Sequence, residues 1–105
     1  MKLIILYHVD IFFNYQNIGL IGLGYDEDGT SGFINPLMID QNYQGRGYSK
    51  VALKLAIDYL RTKLKVSEIH LGHRKENIAA SKLYESLGFI IVAEDEQDYF
   101  RCLSL

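Results

Sequence analysis

The stretch "QNYQGRGYSK", residues 41–50, sets Gly45, Arg46 and Gly47 directly before an apolar-periodic run, and its reading decides where strands give way to a helix. From Gly47 onward Val51, Ala52, Leu55, Ala56, Tyr59, Leu60 and Leu64 recur at spacings of three and four, which predicts one apolar helix face over about 47–64. Lys50, Lys54, Asp58 and Arg61 fall largely on its other side. Upstream, "FINPLMID" (33–40) reads as a strand in which Pro36, having no ladder donor, belongs at an edge or bulge. The quoted stretch is therefore a strand-to-helix turn. Two readings stay open for it. Its glycines either permit the turn while Arg46 is solvated, or bring main-chain N–H groups into one concavity at a helix N-terminus, where a phosphate fits and Gln44 and Arg46 add side-chain donors. The spacing is neither that of a dinucleotide fingerprint nor that of a P-loop.

Working outward, "LIILYHV" (3–9) and "IGLIGLGY" (18–25) read as strands on either side of the weakly patterned "DIFFNYQN". The glycines at 19, 22 and 24 point to a bulge or a close backbone approach in the second of these. "DEDGTSG" (26–32) supplies a hairpin turn around Asp28 and Gly29. Beyond the first helix, "EIHLGH" (68–73) is a strand and 77–87 a second helix, with Asn77 as N-cap and Gly88 just past its end. "FIIVAE" (89–94) and "DYFRCLSL" (98–105) are two more strands joined by an acidic turn. Strands alternating with two helices predict a mixed α/β layer with one parallel crossover and antiparallel terminal hairpins.

The 105 residues suit one domain, 1–105, and an apolar share of 49% with 23% charged residues is that of a globular chain. Eleven basic against thirteen acidic side chains, a net charge of −2, give no excess to neutralise a nucleic-acid backbone. The opening apolar run is far shorter than a membrane span, no signal-peptide pattern follows it, and the single Cys102 cannot close an internal disulfide. A cytoplasmic protein with neither nucleic-acid nor membrane partner is the expectation. Cys102 reads as packing rather than as a nucleophile, and no metal is expected.

"NIAASKLYESLGF" (77–89) adds the second motif. Asn77, Ala80, Leu83, Tyr84, Glu85, Gly88 and Phe89, taken with Gln44, Gly45, Arg46, Gly47, Tyr48 and Ser49, resemble the acetyl-CoA-binding core of the GNAT superfamily of N-acetyltransferases, with the bacterial diamine or spermidine acetyltransferases as the nearest type. The resemblance covers roughly residues 18–105 and matches 1–17 poorly. Ser49 stands where the family's loop usually has glycine or alanine. The family's first strand and the two helices after it, which help to build the acceptor side, have no counterpart.

The resemblance implies an α/β (α+β) fold with two central strands, 33–40 and 68–73, splayed at the cofactor cleft. It implies that main-chain groups around Gln44 to Ser49 bind the pyrophosphate of acetyl-CoA, that the strand end at Leu37, Met38 and Ile39 pairs with the pantetheine amides, and that Asn77, with Ala80 beside it, meets the pantetheine arm. Tyr84 is the implied general acid, protonating the departing thiolate during direct transfer to a primary amine of a polyamine-like molecule or a peptide. For the base, Asp40, His70, His73 and Glu76 lie near the expected cleft without one being singled out; His73 reads as a solvated loop residue. His8, Glu27 and the group Glu94, Asp95, Glu96 and Asp98 read as surface. The short N-terminus should leave a sheet edge uncovered, so a homodimer or higher oligomer is expected. The alternative is a GNAT-like CoA-binding or assembly module without an acceptor site.

Overall fold

A computed structural model of the chain describes residues 3–105. It contains β1 (Ile4–Phe13), β2 (Gln16–Asp26), β3 (Ser31–Ile39), a 3-10 turn at Gln41–Tyr43, α1 (Tyr48–Thr62), β4 (Glu68–Arg74), α2 (Ile78–Ser86), β5 (Ile90–Glu94) and β6 (Asp98–Ser104). The strands form one sheet in the order β1-β2-β3-β4-β6-β5. Among the described residues only β3 and β4 pair in parallel, with α1 as their crossover; the other neighbours are antiparallel.

The first hairpin is longer than its sequence suggests. The "DIFFNYQN" stretch completes β1, turns tightly at Asn14 (φ 49°) and Tyr15 (φ 65°), and begins β2. Two successive left-handed residues match the right-handed twist of a two-residue hairpin, a conformation asparagine adopts readily and tyrosine seldom does. That unusual tyrosine hid the turn. The next hairpin is as expected: Gly29 (φ 71°) donates its N–H to Asp26 O at 3.0 Å, and Asp26 Oδ1 accepts from the N–H groups of Thr30 (3.0 Å) and Ser31 (3.1 Å).

Pro36 lies in a bulge, because the register runs from Ile21↔Leu37 to Leu23↔Ile34 and so leaves an extra residue on β3. Opposite it, a Cβ on Gly22 would overlap Asn35 O. Glycine is thus required at Gly22 for close approach, not for freedom of φ.

Both helices pack on one face of the sheet. Leu53, Ala56 and Leu60 of α1 join Ile21, Leu23, Ile34, Ile69, Leu71, Tyr84 and Phe89 in a single core. The buried stripe of α1 is rotated from the face its spacing predicts: Val51, Leu55 and Tyr59 are exposed, whereas Leu53, which lies outside that predicted face, has no exposure at all. The helix lies over β2 and β3, so the flank bearing Leu55 and Tyr59 overhangs β1. Together with Tyr7, Ile11 and Phe12 it walls an apolar groove of about 450 Å³. Ile4, Ile5, Leu6, Phe12 and Phe13 of this edge strand are exposed.

The chain's last hairpin reverses the order in which its strands meet the sheet. β6, not β5, pairs with β4, in an unbroken register from Glu68↔Ser104 to Arg74↔Asp98. Inward and outward residues alternate along β4: Ile69, Leu71 and His73 are buried on the helix side, while Glu68, His70 and Gly72 face the other way and are half-buried.

Candidate active site

β3 and β4 pair at only three positions, Ser31↔Glu68, Gly32↔Ile69 and Phe33↔His70. Beyond Phe33 the strands separate, as expected for the two splayed strands. The bulge at Asn35 and Pro36 lies just past the point of separation and turns β3 away. Residues 37–39 remain paired with β2 through Leu37↔Ile21, Met38↔Leu20 and Ile39↔Gly19, but have no strand on the β4 side. The sheet therefore holds an open seam, with Leu37, Met38 and Ile39 on one bank and the C-terminal half of β4 on the other.

The glycine-rich turn closes the end of this seam. Asp40 Oδ1 caps the 3-10 turn by accepting from Asn42 N–H at 2.9 Å, and the Gln44 side-chain amide donates to Ile39 O at 2.9 Å. Gln44 thus ties the loop to the end of β3 with one of the two N–H donors of its side-chain amide. Arg46 places its guanidinium carbon 5.5 Å from the centre of the Tyr43 ring, a cation–π contact at the loop's edge. Tyr43 is held in turn by donation to Gln16 Oε1 at 2.6 Å. The ring of Tyr48 packs against Phe13 at 5.0 Å.

Gly45 (φ 76°) and Gly47 (φ 85°) are both left-handed, and beyond the adjoining residues no atom lies within 4 Å of where either would carry a Cβ. Gly47 is the N-cap of α1, and no side chain caps the helix there. The first helical bond runs from Val51 N–H to Gly47 O at 3.3 Å, which leaves the N–H groups of Tyr48, Ser49 and Lys50 directed out of the helix end. A 15-residue helix adds its partial positive charge at that point.

On the opposite bank, α2 starts where Asn77 Oδ1 accepts from Ala80 N–H at 3.0 Å, so Asn77 is the N-cap the sequence predicts. Its side-chain NH₂ takes no part in that bond and remains available as a donor. Tyr84 is buried between His73 (rings 5.4 Å apart) and Phe89 (6.0 Å), and burial raises its pKa above 10.0. It remains a phenol at neutral pH. Gly88 (φ 97°) follows α2 and donates its N–H to Glu85 O at 3.0 Å, the helix-ending role expected of it.

His73 is not the solvated loop residue that the sequence suggested. It is 9% exposed and lies in β4. Its Nε2 accepts from Arg101 Nε at 2.9 Å, so Nδ1, 2.9 Å from Arg74 O, is the protonated nitrogen. With that lone pair in use, His73 has no free acceptor for an incoming proton. Of the other base candidates, Asp40 serves as a cap, Glu76 is exposed, and His70 stacks on Phe33 on the face away from the helices.

Arg101 escaped the sequence reading. It is 4% exposed, and donates from Nη1 to Phe89 O and from Nη2 to Ser81 Oγ, each at 2.9 Å. It fastens α2 and the turn after it to the sheet beneath Tyr84. The available signal was a lone arginine at an inward position of an alternating strand, "DYFRCLS".

This order of strands and helices agrees with comparisons against known proteins. Residues 5–89 match the acetyltransferase (GNAT) family. The chain belongs to that family. The match begins inside β1, so most of the first 17 residues, poorly covered by the motif resemblance, fall within the family's pattern. Among curated relatives, the spermine/spermidine N(1)-acetyltransferase of Bacillus subtilis is 39% identical over 67 residues, which cover 62% of this chain and 44% of the relative. The chain thus spans less than half the length of that relative. Of the solved structures, the Campylobacter jejuni N-acetyltransferase PseH in complex with acetyl coenzyme A is 27% identical with a TM-score of 0.81, over 94% of this chain and 67% of that one. A spermidine N-acetyltransferase SpeG variant from Vibrio cholerae shares the fold, with a TM-score of 0.85 at 23% identity over 94% of this chain and 65% of that one. Among the described residues no helix is long and apolar enough to cross a membrane.

Proposed function

We propose that this GNAT domain catalyses acetyl-CoA-dependent N-acetylation of a primary amine, with polyamine-like molecules as the leading acceptor class and peptides as the second. The observation that carries the reading is the uncapped start of α1 behind two left-handed glycines, placed at the mouth of an open sheet seam. The residues fit the cosubstrate. Space beside Gly45 and Gly47 admits a pyrophosphate against the N–H groups of Gly45 to Ser49, a role shared by Arg46 as a nearby cation. The unpaired bank at Leu37, Met38 and Ile39 offers main-chain groups to the pantetheine amides in the manner of an added strand. From across the seam, the Asn77 amide donates to the same arm, with Ala80 keeping that helix turn small.

In the transfer, the amine nitrogen forms a bond to the thioester carbonyl carbon and the carbon–sulfur bond breaks. Tyr84, kept protonated by burial, donates its proton to the departing sulfur, and the proton shed by the amine nitrogen passes to solvent, from which the Tyr84 phenol is restored. The acceptor class follows from the Bacillus relative, whose name specifies spermine and spermidine. A cytoplasmic location and self-association through β1 belong to the same reading. A second reading, a CoA-binding module without acceptor chemistry, draws on the uncovered face and edge of β1. Calorimetric titration with acetyl-CoA followed by thiol release against polyamines, amino acids and peptides separates the two. Binding with release supports the enzyme, binding without release supports the module, and no binding overturns both.

A further inference from the structure

On the sheet face away from both helices, over the paired part of β3 and β4, three side chains of different chemistry converge. Glu68 and His70 are two apart on β4 and therefore share a face, and Cys102 of β6 lies directly opposite His70 in the register. Cys102 Sγ is 3.5 Å from Glu68 Oε2 and 4.0 Å from His70 Nε2, and His70 Nε2 is 3.5 Å from Glu68 Oε1. We propose that Glu68, His70 and Cys102 form a binding site for a thiophilic divalent cation, zinc being the best match.

The separations are those the ion requires. Tetrahedral zinc with bonds of about 2.3 Å to sulfur and about 2.0–2.1 Å to nitrogen and oxygen sets its ligand atoms about 3.3–3.6 Å apart. With Glu68 Oε2 as the oxygen ligand, its 3.5 Å from Cys102 Sγ lies in that range, the 4.0 Å from Sγ to His70 Nε2 exceeds it, and the three ligand atoms, all within 4.8 Å of one another, close on an ion by side-chain rotation. One sulfur, one imidazole nitrogen and one carboxylate oxygen select zinc or a similar transition metal over magnesium or calcium, which take all-oxygen sets. Three protein ligands leave the fourth position to water or to an incoming group.

The surroundings are also those of a built site. Ser31 Oγ donates to Glu68 Oε1 at 3.0 Å, which fixes the carboxylate and leaves Oε2 toward the sulfur. Phe33 stacks on the His70 ring with centroids 5.6 Å apart. Phe100, opposite Gly72 and with its ring 3.1 Å from where a Cβ would lie there, walls the next position along the strands. Cys102 is 8% exposed, whereas Glu68 and His70 keep part of their surface open as an entry path. On binding, the thiol proton leaves to solvent as the sulfur–metal bond forms.

Cobalt(II) titration of the full chain, first stripped with a chelator, tests the assignment with no reference to acetyl transfer. A saturable thiolate-to-cobalt charge-transfer band, displaced by zinc, is expected. Cys102→Ser should abolish the band, Glu68→Gln and His70→Gln should weaken cobalt binding, and Ser31→Ala should weaken it roughly 10-fold while keeping every ligand. Glu68 and His70 are partly exposed, so their variants remain readable even if Cys102→Ser unfolds. Absence of the band in the unaltered protein, or a cobalt affinity indifferent to both Glu68→Gln and His70→Gln, overturns the site.

Discussion

Arg101 donates its Nε–H to His73 Nε2 at 2.9 Å inside the core, a buried cation whose three partners are an imidazole, a carbonyl and a hydroxyl. A guanidinium in a dry interior is tolerable only when its donors are met, and loss of the group strands acceptors on β4, on α2 and in the turn after α2. Arg101→Ala should therefore destabilise the protein by about 3 kcal/mol or more, read by denaturant titration. A loss within a few tenths of a kcal/mol would mean that water replaces all three bonds.

The phosphate reading places negative charge against the start of α1. Gly47→Ala and Gly47→Glu both pay the strain of a left-handed residue, on the order of 1–2 kcal/mol, but only glutamate adds bulk and like charge at the cradle. Calorimetry should show acetyl-CoA affinity falling at least about 10-fold further in Gly47→Glu than in Gly47→Ala, an energy of roughly 1.4 kcal/mol. Equal affinities would remove the cradle.

Asn77 carries two separable roles. Asn77→Asp keeps an oxygen for Ala80 N–H, so helix stability should hold, while losing the amide donor proposed for the pantetheine arm. Asn77→Ala should lose about 1 kcal/mol of stability as well. If the aspartate variant binds acetyl-CoA as the parent does, Asn77 is a cap and nothing more.

Tyr84 acts as an acid only while protonated, and burial moves its pKa upward from 10.0. Turnover limited by Tyr84 should thus persist past the pH at which an ordinary tyrosine ionises and fall only above it. Tyr84→Phe should lower kcat by about 10²-fold or more with little change in acetyl-CoA affinity, and erase that alkaline limb. A full-rate phenylalanine variant removes the assignment.

The exposed edge of β1 predicts self-association. Sedimentation at micromolar concentration should show a dimer or larger species, and Leu6→Lys with Phe12→Lys should release the monomer. A parent protein that sediments as a monomer contradicts this.

Much of the architecture was legible because its signals are local. The apolar period of α1, the glycine after α2 and the Asp28 and Gly29 turn each act within a few residues, and the two motif stretches flank the seam as the resemblance implied. What was hidden depends on partners distant in sequence. The turn at Asn14 and Tyr15 uses a residue that seldom takes a positive φ. The exposure of Leu55 follows from where α1 lies across the sheet, and no spacing reveals that. His73 and Arg101 disguise each other, since each looks solvent-bound until β4 and β6 are placed side by side. Cys102 likewise looked inert because Glu68 and His70 are more than thirty positions away.

The short pairing of β3 with β4 bears on how force passes through the molecule. Three residue pairs are all that join the half-sheet β1-β2-β3 to the half-sheet β4-β6-β5 through the ladder, and α1 spans the join from one side. A ligand seated in the seam would touch both halves and act as mortar between them. Its arrival would stiffen the join, so the cosubstrate would be part of the domain's masonry as well as of its chemistry, and slower amide exchange along β3 and β4 would register its presence before any acetyl group moved.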